Sequence, residues 1–290
     1  DDGGKLDQPA EFITLRRLTI RDAATGGNND GIKLSGLRRF RIEDCTIERW
    51  GNGGSGIDMV GCHDGLIVNT TLRGGKNGDG STRGATGIQT KGGSSHIIIR
   101  QCRFEYAGQR AINIGGLTGH DYFRPLGAPH EARNIIVEGS TFIGSQAPLA
   151  FVGVDGATIR YNTFYHPEKW IFRILQEAVA ERFVRCRTGV MTDNLIVYQR
   201  AQVTTHVNIG PVTQPETFRF ARNYWHCADD PPRSRPQLPA AEDQGVYDGG
   251  APRFMDAARG NLRQTADSPA RAYGADAFPQ PQTLPPTATP

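Results

Sequence analysis

The chain repeats a short pattern of apolar and polar positions. Each copy has an apolar residue at its third position, usually a small or amide residue at its sixth, and an apolar residue at its eighth. Alternation with a period of two is typical of a half-buried β-strand, and the polar interruption indicates a tight bend before a second strand. Copies follow one another along most of the chain, at residues 13–20, 40–47, 65–72, 97–104, 135–142, 157–164, 189–196 and 218–225.

The sixth positions recur at a period typical of a β-solenoid. Their spacing ranges from 22 residues (Ser140 to Asn162) to 38 residues (Cys102 to Ser140), so insertions are tolerated. We therefore predict an all-β fold, a right-handed parallel β-helix of about eight coils. We expect the asparagines at this bend to stack their amides into a ladder, and the cysteines to be small buried fillers. The bend residues are Leu18, Cys45, Thr70, Cys102, Ser140, Asn162, Asn194 and Asn223.

A second repeat lies between these units, at residues 31–36, 56–61, 87–92 and 111–116, with weaker copies at 148–153, 171–176 and 206–211. Its isoleucines should point into the core: Ile32, Ile57, Ile88 and Ile112. Because side chains alternate along a strand, the residues after them share one outward column. This column is mostly polar, which predicts the floor of a binding groove. Its members are Lys33, Asp58, Gln89, Asn113, Ala150, Arg173 and Asn208.

Insertions between the coils should form the walls of this groove. Residues 76–85 and 117–133 are long loops, and long loops on a regular solenoid are usually functional. The second loop carries His120, Tyr122 and Arg124, and residues 176–187 have the composition of a short helix. After Cys227 the repeats give way to proline-rich sequence. We expect residues 1–227 to form the β-helix and residues 228–290 to form an extended tail packed on it, as one domain.

Composition narrows the possible functions. The formal charge is +3, from 33 basic and 30 acidic residues, so a general attraction for nucleic acid is not expected. The sequence has no apolar run long enough to span a membrane. Five cysteines without a CxxC pair fit neither a zinc site nor a disulfide framework. We expect a monomeric protein that is secreted or periplasmic, with its signal peptide outside this sequence.

From about residue 10 to residue 226 the coils resemble the pectate-lyase-like superfamily of right-handed β-helices. The resemblance implies action on acidic polysaccharides, by lyases, polygalacturonase-type hydrolases or epimerases. The hydrolase pattern begins with Asn-Thr-Asp-Gly, and residues 28–31 (Asn-Asn-Asp-Gly) are similar to it. One coil later only Asp58 is present, and the later motifs of that pattern are absent. Asp30 and Asp58 are nevertheless a candidate carboxylate pair for a glycoside hydrolase.

The chain also resembles the alginate lyase and chondroitinase B family, in which a catalytic lysine precedes an arginine one coil later. Residues 88–91 (Ile-Gln-Thr-Lys) are similar to the lysine strand. Gly115 occupies the position equivalent to the arginine, and Arg110 lies just before that strand instead. Gly84 and Thr86 stand where the family has its calcium-binding glutamates. The resemblance therefore implies calcium as a possible cofactor while its acidic ligands are missing, and we assign no metal ligands.

The chemistry of β-elimination explains why these residue types matter. The carboxylate of a uronate must be neutralised, a base must remove the C5 proton, and an acid must protonate the leaving oxygen. Lys91 suits the base and Arg110 suits the carboxylate clamp, because arginine is always charged and bidentate. Tyr122 or His120 would supply the acid. We expect Arg124 and Arg173 to converge with Lys91 and Arg110 on one stretch of the groove.

The remaining candidates bind substrate in this hypothesis. His206 and Asn208 would contact a distant sugar, and Glu177 follows Arg173 by four residues as its predicted ion-pair partner. The most favoured function is a lyase for a uronate-containing acidic polysaccharide. A non-catalytic glycan-binding β-helix and a hydrolase using Asp30 and Asp58 are the alternatives.

Overall fold

The chain folds as a stack of parallel strands. The structure is a computed structural model that describes residues 8–24, 26–75 and 84–279. Most of the predicted loop 76–85 lies outside these described residues. Within them, the strands are β1 (Thr14–Arg16), β2 (Thr19–Arg21), β3 (Ile32–Ser35), β4 (Arg41–Glu43), β5 (Thr46–Glu48), β6 (Ser55–Val60), β7 (His63–Val68), β8 (Thr71–Arg73), β9 (Thr86–Lys91), β10 (Ser94–Arg100), β11 (Arg103–Glu105), β12 (Arg110–Gly115), β13 (Ala132–Glu138), β14 (Thr141–Ile143), β15 (Ala147–Val152), β16 (Val154–Arg160), β17 (Thr163–Tyr165), β18 (Phe172–Leu175), β19 (Arg187–Thr192), β20 (Leu195–Tyr198), β21 (Val207–Ile209), β22 (Arg219–Ala221), β23 (Tyr224–Cys227), β24 (Glu242–Asp243), β25 (Phe254–Asp256) and β26 (Asn261–Gln264).

Three long parallel sheets run along the axis. In the described part of the chain the first sheet has the order β1-β4-β7-β10-β13-β16-β19-β22-β24 and the second β2-β5-β8-β11-β14-β17-β20-β23. The third sheet has the order β21-β18-β15-β12-β9-β6-β3. Successive strands of a sheet are therefore one coil apart in sequence. This arrangement confirms the right-handed parallel β-helix that the repeats predict.

Inward side chains stack in register to fill the core. Ile32 pairs with Ile57, Ile57 with Ile88 and Ile88 with Ile112, and all four are buried as predicted. On the second sheet the rings of Phe104 and Phe142 stack at a centroid distance of 4.5 Å. Each coil thus repeats the same apolar position, and the stack buries one continuous core.

The bend between the first and second sheets carries the predicted amide ladder. Asn162 donates from Nδ2 to Asn194 Oδ1 at 3.1 Å, and Asn194 donates in the same way to Asn223 at 2.8 Å. Asn223 in turn donates to the Glu242 carboxylate, which ends the ladder. The preceding residue takes a left-handed conformation, for example Asp193 with φ 59°. The ladder amides therefore supply hydrogen bonds that a sharp corner otherwise denies to the backbone.

The cysteines are small buried side chains, and two of them lie at this bend. All five are free and buried, and Cys45 and Cys102 occupy the predicted bend column. Burial raises the pKa of the Cys102 thiol to about 12, which keeps it protonated and unreactive. Their role is packing.

The segment after Cys227 runs back along the second sheet. Its strand β24 adds a rung to the first sheet beside β22, and β25 pairs with β26 in an antiparallel hairpin. Leu195, Val197 and Tyr224 pack with Ala270 of this segment in a small second core. Over the described residues none of the tail's strands joins the third sheet.

Short 3-10 turns accompany the connections, at His120–Tyr122, Pro215–Thr217, Pro231–Arg233, Ala257–Arg259 and Ala275–Ala277. The prediction of a short helix in residues 176–187 is wrong, because this segment is irregular. Five helix-forming residues are too few to nucleate a helix in isolation. Moreover, Gln176 donates to the Ala178 carbonyl and accepts from the Cys186 amide, both at 2.7 Å, and so fixes both ends of the loop.

Candidate functional site

The predicted outward column exists in register on the third sheet. Lys33 pairs with Asp58, Asp58 with Gln89 and Gln89 with Asn113. Beyond Asn113 the column continues through Ala150, Arg173 and Asn208. The prediction from the period of two is therefore confirmed across seven consecutive strands of the described chain. Polar side chains on adjacent rungs lie about 5 Å apart, which is close enough to contact each other directly.

In the first coils of this column, one carboxylate lies between two lysines. Asp58 is 3% exposed and accepts a hydrogen bond from the Lys33 ammonium, while Lys91 Nζ lies 3.6 Å from the same oxygen. Asp30 Oδ2 is also 3.6 Å from Lys33 Nζ. Burial lowers the pKa of Lys33, but its hydrogen bond to Asp58 and the charges of both carboxylates outweigh this and raise it. Lys33 is therefore a stable ammonium at neutral pH.

Lys91 is held less tightly in the same cluster. Its Nζ donates to Gln89 Oε1 at 3.3 Å, and its side chain is 20% exposed. Asp58 lies closer to the Lys33 ammonium than to the Lys91 ammonium. Lys91 thus has two long contacts and is less exposed than Lys33, whose side chain is 50% exposed.

Lys33 and Lys91 form one wall of a cleft of about 390 Å³. The opposite wall is the start of the long loop, from Leu117 through Thr118 and Gly119 to Tyr122. Tyr122 is 66% exposed, so its hydroxyl is free to approach a bound molecule. The predicted loop residue therefore lies beside the predicted lysine. His120 is exposed as well, and its nearest charged neighbour is Asp121, at 3.7 Å.

Glu131 holds the loop wall of the cleft in place, and the repeat pattern did not predict this residue. It is fully buried, and its carboxylate accepts hydrogen bonds from the amide and hydroxyl of Thr118 at 2.9 and 2.7 Å. It also accepts from the amide of Gly92, the residue after Lys91, at 2.8 Å. Burial raises the pKa of Glu131, although these donors and the Lys91 charge oppose the shift. One carboxylate thus fixes the loop relative to the lysine strand.

Arg110 does not meet Lys91. It lies opposite Thr86 on the neighbouring strand, five residues before Lys91 and therefore about 17 Å away along the strand direction. Arg110 is the first residue of β12, whereas Lys91 is the last residue of β9. The convergence of these two residues on one sugar stays a prediction. Arg110 Nη1 instead donates to Asn113 Oδ1 at 3.1 Å.

Glu177 pairs with Arg110 and not with Arg173. Glu177 Oε1 lies 3.4 Å from Arg110 Nη2, whereas Arg173 Nε donates to Asn208 Oδ1 at 2.8 Å. The prediction of an Arg173–Glu177 ion pair assumed helical spacing, and this segment is not helical. The guanidinium of Arg173 lies over the ring of Trp170 at 4.4 Å.

Two other predicted residues lie away from the cleft. Arg124 borders a separate crevice with His63 and Pro125, and its carbonyl lies 3.0 Å from His63 Nε2. His206 precedes β21, with one ring nitrogen 3.2 Å from the Tyr198 hydroxyl and the other accepting from the Gln237 amide at 3.2 Å. The ring of His206 thus ties the tail to the last coils. The convergence of Arg124 with the other cations stays a prediction.

The cleft residues do not fit a calcium ion. Asp30 and Asp58 are the carboxylates of the cluster, and both are already paired with the Lys33 ammonium. Over the described residues, no group of three histidine, cysteine or acidic side chains is placed to hold a metal. Gly84 and Thr86 stand where the lyase resemblance would require acidic calcium ligands. Among the described residues, no helix is long and apolar enough to cross a membrane.

The fold and the column together define a parallel β-helix with a polar groove on one sheet. Comparison with protein families agrees with this class, since the family description "Right handed beta helix region" matches residues 7–197. The chain belongs to this right-handed β-helix family. A search of curated proteins returned no match.

Proposed function

We propose that the protein is a lyase that cleaves an acidic, uronate-containing polysaccharide by β-elimination in the cleft between Lys33, Lys91 and Tyr122. The observation that carries this proposal is the cleft itself, in which two ammonium groups and a phenol surround a space of about 390 Å³. Positive groups suit an anionic sugar, and an amine with a nearby hydroxyl suits proton transfer. Such polymers lie outside the cytoplasm, so we also propose a secreted or periplasmic location.

Lys33 neutralises the uronate carboxylate in this mechanism. Its side chain is 50% exposed and its charge is stabilised from behind by Asp58 and Asp30. An ammonium contact to the carboxylate withdraws charge from it and makes the neighbouring C5 proton more acidic. The sequence pattern predicted this role for Arg110; we assign it to Lys33 because Lys33 lines the same cleft as Lys91.

Lys91 acts as the base. Its unprotonated amine takes the C5 proton, the electrons of the C–H bond form the C4–C5 double bond, and the bond from C4 to the glycosidic oxygen breaks. Tyr122 gives its phenolic proton to that departing oxygen. Because only the neutral amine can accept the proton, the rate should rise with pH on the alkaline side.

Hydrolysis by Asp30 and Asp58 is the second candidate. The observation in its favour is that both carboxylates approach the same ammonium, so they lie close together on adjacent coils. Each is already engaged, however, since Asp30 also accepts a hydrogen bond from the Ser55 amide at 2.7 Å. A hydrolase needs one carboxyl group that is protonated and free to donate. Elimination uses the exposed groups of the cleft and is the better-supported reaction.

A screen of acidic polysaccharides tests the proposal. Alginate, pectate and glycosaminoglycans are each incubated with the protein, and the ultraviolet absorbance of an unsaturated uronate is followed. We expect the absorbance to increase with one of these polysaccharides. For Lys91→Ala we expect the rate of this increase to be at least about 100-fold lower. Lys169→Ala, a lysine that packs on Trp170 away from the cleft, is the matched control.

The outcomes separate the three functions. Full activity in Lys91→Ala overturns the assignment of the base. New reducing ends without ultraviolet absorbance favour the hydrolase. Binding of a polyanion with neither product favours a non-catalytic glycan-binding protein.

A further inference from the structure

Two arginines occupy the groove beyond the cleft. Arg173 lies in the outward column, and the side chain of Arg110 reaches that column by its hydrogen bond to Asn113. Both guanidinium groups are therefore presented on the third sheet, on the coils that follow Lys91. Neither has a place in the elimination chemistry of the cleft.

Ala150 lies between their rungs in the outward column. In the strand register Asn113 pairs with Ala150 and Ala150 with Arg173, so the two polar rungs are about 10 Å apart. Ala150 is fully buried, and its side chain extends only to a methyl group. The column consequently has a small apolar rung, shielded from solvent, between the two rungs that carry the arginine side chains.

Both guanidinium groups are held in place by uncharged partners. Asn113 accepts from Arg110 and Asn208 accepts from Arg173, while the ring of Trp170 supports Arg173 at 4.4 Å. Groups fixed in this way lose little freedom when they bind an anion.

The two positive charges are only partly compensated. Glu177 lies 3.4 Å from Arg110 and is half-exposed, so one carboxylate faces two guanidinium groups. Burial lowers the pKa of Arg173, and the charge of Arg110 lowers it further, as expected for cations held near each other. An anion bound by both guanidinium groups would relieve this repulsion and accept charge-assisted hydrogen bonds from them.

We propose that Arg110 and Arg173 form a second anion-binding subsite, for a carboxylate or sulfate group on another sugar of the same chain. The subsite lies across the coils that follow the cleft, so one polyanionic chain spans both along the helix axis. Its identification as a glycan subsite rests on the proposed function, whereas its anion binding does not. The ligand is thus a polymer that carries repeated negative charges, and a single acidic sugar fills only half of the site.

Binding measured without turnover tests the subsite. Lys91→Ala protein is titrated by calorimetry with di- and hexasaccharides of galacturonate and mannuronate, with a sulfated heparin hexasaccharide, and with a neutral cello-hexaose. We expect an anionic hexasaccharide to bind at least about tenfold more tightly than its disaccharide. Adding Arg110→Gln and Arg173→Gln together should remove this advantage. Arg41→Gln, an exposed arginine of the first sheet, should leave it unchanged.

The comparison of probes identifies the anion, since a preference for uronate hexasaccharides indicates carboxylate and a preference for the heparin probe indicates sulfate. The proposal is overturned if no anionic hexasaccharide binds better than its disaccharide, if the double variant keeps the advantage, or if Arg41→Gln loses it equally. Length-dependent binding in a protein without any lyase product would overturn the proposed reaction and leave the subsite standing.

Discussion

Lys91 Nζ lies 3.6 Å from the buried carboxylate of Asp58, across neighbouring strands of the third sheet. The contact arises because Val60, two residues after Asp58, pairs with Lys91 in the strand register. Since Lys33 holds the same carboxylate from the other side, Asp58 is the fixed point around which both cleft lysines are arranged.

Replacing Asp58 by asparagine should loosen this arrangement. The two ammonium groups would lose their shared counter-charge and repel each other, which we expect to lower the free energy of unfolding by about 1 to 2 kcal/mol. Urea unfolding at neutral pH measures the change. Asp22→Asn, at an exposed pair with Arg49, should have no measurable effect. Equal stability of Asp58→Asn and the wild-type protein would contradict the role given to Asp58.

Truncation of the amide ladder should lower the free energy of unfolding more than Asp58→Asn does. Asn194 is fully buried, donates to Ile159 O at 3.0 Å and to Asn223 at 2.8 Å, and accepts from the Asn162 amide. Asn194→Ala leaves these partners unsatisfied, so we expect a loss of about 3 kcal/mol in the free energy of unfolding. Asn52→Ala, at an exposed turn, should change it by less than about 0.5 kcal/mol. Similar losses in both variants would rule out a special contribution from the ladder.

The loop wall depends on Glu131. In Glu131→Gln the amide group can accept through only one atom, so at least one of the donors from Thr118 and Gly92 loses its partner. We expect hydrogen exchange at these two amides to speed up by about tenfold or more, and any lyase activity to fall through a higher KM. Glu43→Gln, on the first sheet, serves as the control. Unchanged exchange at Thr118 would show that the loop is held by other contacts.

Acid should destabilise the fold through its buried histidines. Burial lowers the pKa of His130 to about 4, whereas an unfolded histidine titrates near 6.5. Unfolding therefore takes up a proton between these values, so the stabilisation is complete above about pH 6.5 and is lost as pH falls toward 4. For His130 the loss is about 2 to 3 kcal/mol over this window.

Urea unfolding at several pH values measures this loss. His63, His166, His206 and His226 also have pKa values lowered chiefly by burial, which adds to the slope in the wild-type protein. The variant His130→Gln should show a shallower dependence between pH 6.5 and 4. Identical slopes in the two proteins would contradict the neutral, buried state of His130.

The fold was predictable because it repeats. The period of two and the recurring bend fix which residues point inward, so the burial of Ile57 and Ile88 and the stacking of Asn162 on Asn194 follow from local pattern alone. The outward column was predictable for the same reason. Register within a sheet is set by the strands themselves and needs no knowledge of the loops.

The site could be predicted only where it depends on register. Lys33, Asp58 and Lys91 meet because they lie within strands in register, whereas Arg110 is the first residue of its strand and Arg124 belongs to an irregular loop. The direction of such side chains depends on tertiary contacts that have no periodic signature. Glu131 shows this limit most clearly, since a buried carboxylate just before a strand has no sequence signal that separates it from a surface charge.

The central claim is that the cleft breaks its substrate by elimination. The most direct measurement is mass spectrometry of the products. They are formed from a polysaccharide that the protein cleaves, in water labelled with heavy oxygen. Elimination adds no water, so we predict unsaturated products that carry no label and that disappear with Lys91→Ala. Saturated products that carry one labelled oxygen at the new reducing end would contradict the claim and assign the reaction to hydrolysis.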